Sequence, residues 1–490
     1  MNTETLPPVA GATPTATRQI SDLPGPKPWP LVGNNLQVRL SRLHQDIEHW
    51  IDQYGPMLQA RLGPNHLVII SDHELITGIL RDRPDTFRRP SRLADIVDEM
   101  GIQPGIFTAE GASWQNQRRM VMASFSPTHV RNYFPALLKV TQNLHRRWTQ
   151  AARQRTAIDL QADLMRFTVD AISGLAFGSE THTLESDDDI IQQHLNKIFP
   201  ALFRRLNALV PYWRYVRLPA DRALDRSVKE VNAAIADFVA QARQRLQDPA
   251  RRERPQNLLE AMVVAADAED SGVTDNEVAG NVFTLLLAGE DTTATTLSWL
   301  LYLLSRHPQA LKLAREEARR VAPRLDAFTP EQMADLNYIE ACAHEAMRLK
   351  PVGPFNAVEA LKDTVVGDLL IPQGTLIFLV LRHDNLNEQY FSKATQFEPQ
   401  RWLDGQGVSQ ATNAKRISMP FGAGPRVCPG RYLALLEIKL AMAMILNAFD
   451  IEAVDTPDGQ EAQELMSFTM TPVGLTMRLR EMSTDVAQAA

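Results

Sequence analysis

Between Asn276 and Arg306 the chain carries about thirty residues that are apolar on nearly every helical face. As one helix this stretch spans roughly 45 Å at 1.5 Å per residue. A helix apolar all round cannot lie on a surface, so it runs through the middle of the fold. Its most apolar part, Val282 to Leu304, has the length of a bilayer span but holds Glu290 and Asp291 at its centre. An acid at mid-membrane costs about 2.5–3.5 kcal/mol on insertion scales, so the segment reads as a buried soluble helix. The centre is Ala288-Gly289-Glu290-Asp291-Thr292-Thr293. Gly costs a helix about 1 kcal/mol against Ala, and adjacent acids and a Thr pair are also poor buried choices. A rule broken inside a strong element marks function. Gly289 leaves room over a flat cofactor, the Thr292 hydroxyl can open the helical ladder to hold water and dioxygen, and Asp291 can supply protons through that water. The competing reading is a solvated kink or a polar patch against another helix.

Helical periodicity also marks 41–54, 114–122, 130–151, 158–177, 222–247, 257–267, 308–321, 336–349 and 431–447. Strand-like runs are short: Met57–Leu62, Leu67–Ser71, Val365–Gly367, Leu376–Val380 and Gly474–Leu479. The expected class is mainly α with small β-sheets. The most apolar loop region, Phe199–Pro219, is either a lid or packing under a long connection. With 44% apolar residues, no repeat and no internal linker, the chain reads as one domain over 23–481. Residues 1–22 and 482–490 read as flexible ends.

Fifty-one Lys and Arg against 58 Asp and Glu give a formal charge of −7, which argues against a nucleic-acid partner. The first twenty residues hold no apolar core, so neither a signal peptide nor a membrane anchor is expected there. Two cysteines, Cys342 and Cys428, are too few for a four-cysteine zinc site and fit a reducing, cytoplasmic setting. Cys342 lies in an apolar helical run and reads as core.

Cys428 is different. It follows Phe421-Gly422-Ala423-Gly424-Pro425-Arg426-Val427 and precedes Pro429-Gly430, a tight turn that leads into a helix from Arg431. A sulfur at a helix start, near Arg426, is placed to be an anionic soft ligand, because the dipole and free amides favour thiolate. Gly430 lets backbone approach a flat ligand, and Pro429 has no amide hydrogen to give the sulfur. Elsewhere, Glu345 and Arg348 share a helix face at i, i+3, upstream of Glu398-Pro399-Gln400-Arg401-Trp402. Trp114 and Arg118 stand one turn apart and can bind a carboxylate.

These segments resemble the cytochrome P-450 family from the Leu23–Gly33 lead-in to the strand near Leu479. The Cys loop resembles its haem-binding signature at Phe421, Gly424, Arg426, Cys428 and Gly430, and Asp291–Thr292 its acid–alcohol pair. The resemblance implies haem b between the long central helix and the helix after the Cys loop. Cys428 would be the iron ligand, and Gly289, Asp291 and Thr292 the oxygen-activating group. Trp114, Arg118, Ala288, Phe421, Arg426 and Gly430 would contact haem, while Glu345, Arg348 and Arg401 would lock the core beneath it.

The implied reaction is monooxygenation of a lipophilic substrate by dioxygen, with electrons from an external ferredoxin or flavodoxin and its reductase. Arg416, Arg431 and Lys439 would form a basic dock for that carrier if they face outward; otherwise they are scattered solvated charges. Pocket walls are expected near Leu93–Phe107, Phe199–Tyr215, Ala288, Pro354–Asn356 and Phe468–Thr471, with Arg204 and Arg205 read as exposed helix charges. Rival readings are a peroxide-driven peroxygenase and a non-catalytic haem sensor. Three positions depart from the family pattern. Ala357-Val358-Glu359 carries no base where a propionate-binding arginine is usual, Gln400 replaces an acid, and Arg382-His383-Asp384 stands for His-Arg-Asp.

Overall fold

The computed structural model describes residues 17–63, 65–178, 183–185, 190–195, 197–403 and 414–482. Six helices frame the site: α1 (Gly111–Ser124), α2 (Leu160–Phe177), α3 (Ile198–Leu206), α4 (Asp275–Arg306), α5 (Asn337–Leu349) and α6 (Arg431–Ala448). The central helix α4 starts at a capping box. Thr274 accepts from Glu277 N at 3.3 Å, while the Glu277 carboxylate accepts from Thr274 N at 2.8 Å. From Val278 to Leu304 it is almost continuously buried. Helix α2 lies along it, and the Thr168 hydroxyl donates to Glu290 O at 2.6 Å.

A five-stranded sheet stands to one side, with β1 (Met57–Leu62), β2 (Asn65–Ile70), β3 (Phe87–Arg88), β4 (Phe355–Ala360) and β5 (Leu376–Val380) in the order β1-β2-β5-β4-β3. Only β2 and β5 pair in parallel. Alternate residues of β2 serve two apolar clusters: Val68 and Ile70 pack on one face, Leu67 and Ile69 on the other. A hairpin of β6 (Glu464–Met466) and β7 (Met470–Pro472) approaches α4, where Trp299 Nε1 donates to Met470 O at 3.2 Å.

Two segments differ from expectation. The region from Phe199, read as loop, opens with helix α3; Ile198, Ala201, Leu202 and Arg205 form its buried face, and Pro200 sits in its first turn, where proline is tolerated. Residues 17–22, read as flexible, are tied down: Arg18 pairs with Asp368 at 2.6 Å and Thr17 N donates to Asp368 O at 3.0 Å. Residues 1–16 and 483–490 lie outside the described residues.

Candidate active site and haem cradle

The Cys loop closes through Cys428 N donating to Phe421 O at 2.9 Å. Gly424 has φ 70°, and a Cβ there would sit 2.2 Å from Leu80 O, so the turn admits only glycine. Arg118 of α1 donates from Nη2 to Val427 O at 2.8 Å. Helix α6 then starts three residues past the sulfur. Burial raises the Cys428 thiol above its ordinary pKa, and the opposing pull of the Gly430 N–H, Arg118 and Arg431 does not overcome it. Dehydration thus works against the features of the loop that favour a thiolate. A bound metal would remove the proton, since a coordinating thiol is deprotonated outright. Pro429 gives the sulfur no hydrogen bond, but Gly430, one residue on, does.

At its centre α4 is less buried. Ala288 is exposed and Thr292 half-buried within an otherwise buried helix, and the Thr292 hydroxyl donates to Ala288 O at 2.6 Å. Asp291 is 9% exposed, its Oδ2 has no partner, and burial pushes its carboxyl up against a lowering contact from Thr469. Gly289 faces α2 instead. A Cβ there would meet Ile172 of α2 at 3.1 Å, so the glycine serves the close approach of two helices and not room for a cofactor. Helices α4 and α6 are in contact, and Glu437 of α6 and Thr293 of α4 are both buried.

Beside the Cys loop lies a cluster of cations. Arg83, Arg89 and Arg426 surround Glu110, and Arg426 bonds its carboxylate. Three guanidiniums less one carboxylate leave two uncompensated positive charges. Burial lowers Arg89 to about 9 and Arg426 to about 10. Five buried N–H positions (Arg83 Nε and Nη2, Arg89 Nε, Arg426 Nε and Nη1) have no acceptor. Buried donors without acceptors are costly, so the site calls for a ligand with anionic oxygens. The Arg426 guanidinium lies 4.4 Å from the ring centroid of Trp114, which is itself buried.

The cytochrome P-450 family description matches residues 23–479. The chain belongs to that family. It is 27% identical over 451 residues to carotene epsilon-monooxygenase, chloroplastic, of Arabidopsis thaliana, covering 88% of this chain and 81% of that one. It is 28% identical over 447 residues to a self-sufficient cytochrome P-450 monooxygenase of Oidiodendron maius, covering 89% of this chain. Of that relative's own length this chain spans only 40%. A probable cytochrome P-450, mitochondrial, of Drosophila melanogaster is 29% identical over 399 residues, 77% of this chain and 71% of that one. Among the described residues no helix is long and apolar enough to cross a membrane.

Family membership implies haem iron, and the donor set of this P-450 fits it. The Cys loop offers a sulfur, α4 exposes Ala288, and the buried N–H groups of Arg83, Arg89 and Arg426 that have no acceptor suit the anionic propionates of haem. Arg83 and Arg89 were missed in the sequence; the signal available was the run Arg81-Asp82-Arg83-Pro84 with Arg88-Arg89, bases next to a strand start. Arg89 follows strand β3, whose Arg88 pairs in register with Glu359 of β4. Glu359 is engaged otherwise, by Arg88 at 2.6 Å and Ser91 Oγ at 2.8 Å.

The supporting ion network of the P-450 is closed. Glu345 accepts from Arg348 Nη2 at 2.8 Å, Arg401 Nε at 3.0 Å, Glu398 N at 2.9 Å and Trp402 Nε1 at 2.8 Å. Two expectations on surface charge fall. Lys439 is buried and paired with Glu340, so it does not face outward, whereas Arg416 is exposed. Arg205 is fully buried on Asp221 at 3.1 Å, because it belongs to the inner face of α3; Arg204 is the exposed one. Glu437, which sequence patterning hid among the apolar residues of α6, is buried and its carboxyl is pushed up to about 8.

Proposed function

We propose that this cytochrome P-450 monooxygenase inserts one atom of dioxygen into a C–H or C=C bond of a lipophilic substrate, with haem b held by Cys428. The observation that carries the reading is the exposure of Ala288 and half-exposure of Thr292 within an otherwise buried α4, with the buried acid Asp291 beside them. Haem iron, when bound, supplies the activation of dioxygen. The chain's own residues do the rest. Arg83, Arg89, Arg118, Arg426 and Trp114 would hold the propionate edge. Thr292, back-bonded to Ala288 O, keeps its hydroxyl oxygen free to accept from a water. Asp291, held above the ordinary carboxylate range by burial, can carry a proton and return it through that water. Gly289 supports this by letting α2 pack close.

An apolar substrate suits the walls: the rings of Phe107, Phe199 and Phe468 lie against one another. The relative named for carotene has a substrate of the same apolar class. Electrons are proposed to come from an acidic ferredoxin or flavodoxin docking on the Cys-loop side, where Arg416 and Arg431 remain as cations; Lys439 does not contribute. The acid–Thr pair favours reductant-driven turnover over a peroxide-driven route or a sensor. The test is turnover of apolar terpenoids and fatty acids under isotopically labelled dioxygen, with a surrogate ferredoxin and its reductase. One labelled atom per product molecule, lost in T292A while peroxide release rises, is expected. Product formed only with added peroxide would overturn the reading.

A further inference from the structure

Exposed apolar side chains are not spread evenly over this molecule. Of the twelve large ones that stand exposed among the described residues, nine fall in two short segments, four within 29–40 and five within 209–218. Leu31 is 91% exposed, Tyr215 80% and Leu36 74%, while Met122, Tyr432 and Leu465 lie elsewhere in the sequence. Single apolar residues on a surface are ordinary, but a cluster of them marks a binding face. The two segments are neighbours. Both meet the turn after β1, where Gly63 N donates to Val32 O at 3.3 Å and to Asn35 Oδ1 at 2.9 Å. A Cβ on the same glycine would lie 3.3 Å from Leu209 Cδ2. Phe203, in the last turn of α3, packs against the same apolar cluster as Val38 and Leu62.

Polar anchors hold both segments in place. Trp213 is buried and its indole N–H donates to Glu99 Oε2 at 2.7 Å, while Arg214 Nε donates to Glu99 Oε1 at 2.8 Å. Arg92 Nη2 donates to Ala208 O at 2.6 Å. In the first segment Asn34 is buried, accepts from Arg61 N at 2.7 Å and donates from Nδ2 to Pro26 O at 3.1 Å. The backbone is thus pinned, and the apolar side chains are held outward. The charge around them is one-sided. Residues 23–45 contain Lys27, Arg39 and Arg42 and no acid, and residues 203–220 contain Arg204, Arg205, Arg214 and Arg217 and no acid, in a chain of formal charge −7. Acids from outside the segments answer some of these cations: Asp46 pairs with Arg39, Glu99 with Arg214, and Asp225 with Arg217. Asp221 is buried on Arg205 and lies 3.8 Å from Arg204, so one carboxylate serves both. Lys27, Arg42 and one charge of the Arg204–Arg205 pair remain in surplus.

We propose that this face rests on an anionic lipid surface. Trp29, Tyr215 and the arginines each have an apolar body and a polar tip, which suits the boundary between water and acyl chains. Leu31, Leu36 and Val210 enter that boundary, and Lys27, Arg42 and Arg204 meet the headgroup phosphates. The contact is peripheral, since no helix among the described residues is long and apolar enough to cross a membrane. A protein partner would also cover apolar side chains; the surplus of cations around them is what matches an anionic surface. Docking of this kind is independent of what the haem site does, but it bears on how an apolar substrate arrives. Helix α3 ends at Leu206, three residues before Leu209, and its Phe199 stacks on Phe468 with centroids 4.9 Å apart. Lipid under Leu209 and Val210 therefore lies next to the helix that supplies an aromatic wall of the pocket.

The test is sedimentation of haem-loaded protein with vesicles of phosphatidylcholine alone or mixed with phosphatidylglycerol. Wild type should bind the mixed vesicles, and bind the neutral ones about tenfold more weakly, with the difference fading in high salt. L31S/L36S and V210S/Y215S, one pair from each segment, should each weaken binding by about tenfold or more. L465S, an exposed leucine outside the face, should bind as wild type does. K27E/R204E should lose binding to the mixed vesicles and keep what little the neutral ones show. Haem content checks that each variant is folded; should V210S/Y215S lose haem, L31S/L36S carries the comparison. No binding to the mixed vesicles, equal binding to both compositions, or wild-type binding by L31S/L36S and V210S/Y215S would each overturn the proposal. A dimer in solution that L31S/L36S dissociates, without vesicle binding, would give the face to a second copy of this chain and overturn it as well.

Discussion

Two buried clusters in this molecule are built from the same side chains and do opposite things. Around Glu345, two arginines, an indole and a backbone amide converge on one carboxylate, and the spare N–H groups of Arg348 end on the carbonyls of Asn385, Ala394 and Gln396. Beside Glu110, only the Arg426 guanidinium of three arginines bonds the carboxylate, and five buried N–H positions of Arg83, Arg89 and Arg426 end on nothing. The first cluster is complete within the chain and braces α5 against the segment from Glu398 to Trp402. The second is complete only with an anion. The difference teaches how to tell a structural ion network from a ligand cradle: count the donors left over, not the charges present.

The largest effect that would test this contrast is R348M. It leaves Glu345 buried with one guanidinium fewer, and the cost of breaking a buried pair is about 3–5 kcal/mol. Urea unfolding should show the loss, and a variant as stable as wild type would erase the claim that this cluster is structural. In the open cluster the sign should depend on the ligand. R89M removes a cation depressed to about 9 by burial and by Arg83 and Arg426, so haem-free protein should gain stability. Haem retention should fall by roughly tenfold or more, because a hydrogen bond to a charged group contributes about 1.5–3 kcal/mol. Haem transfer to an excess of apomyoglobin measures the second and a denaturation midpoint the first. Loss of stability in both states would make the two clusters alike.

Much of this was legible in the sequence, and the failures have physical causes. The central helix was legible because about thirty residues of apolar periodicity leave no other element, and α4 ends at Arg306 as read. Cys428 stood out because glycines at φ 75° and 70° cannot be hidden in a helix or strand pattern. Arg83 and Arg89 were not legible, since an arginine in a polar stretch looks solvated until the fold buries it. Lys439 and Arg205 failed for the same reason. Gly289 was read for the right helix but the wrong side, because sequence cannot say which neighbour fills the space of a missing side chain.

A smaller effect, dependent on pH, comes from Glu437. Its folded carboxyl holds the proton to about 8, whereas the unfolded one releases it near 4.5. Folded protein therefore binds the extra proton in this window, and stability falls as pH rises from about 4.5 to about 8. E437Q should remove that slope, measured by denaturant midpoints across the window; an unchanged slope would refute it. The smallest effect is at Gly289. G289A should cost little alone and show coupling to I172A in a double-mutant cycle of stability. Additive changes, with the haem spectrum altered instead, would return Gly289 to the cofactor side.

The central claim is that Cys428 is the iron ligand. The most direct measurement is the carbon monoxide difference spectrum of the reduced, haem-loaded protein beside C428S. A thiolate-shifted band in wild type that is lost in C428S is the predicted result. A shifted band that survives in C428S, or no shifted band in wild type, would contradict the account.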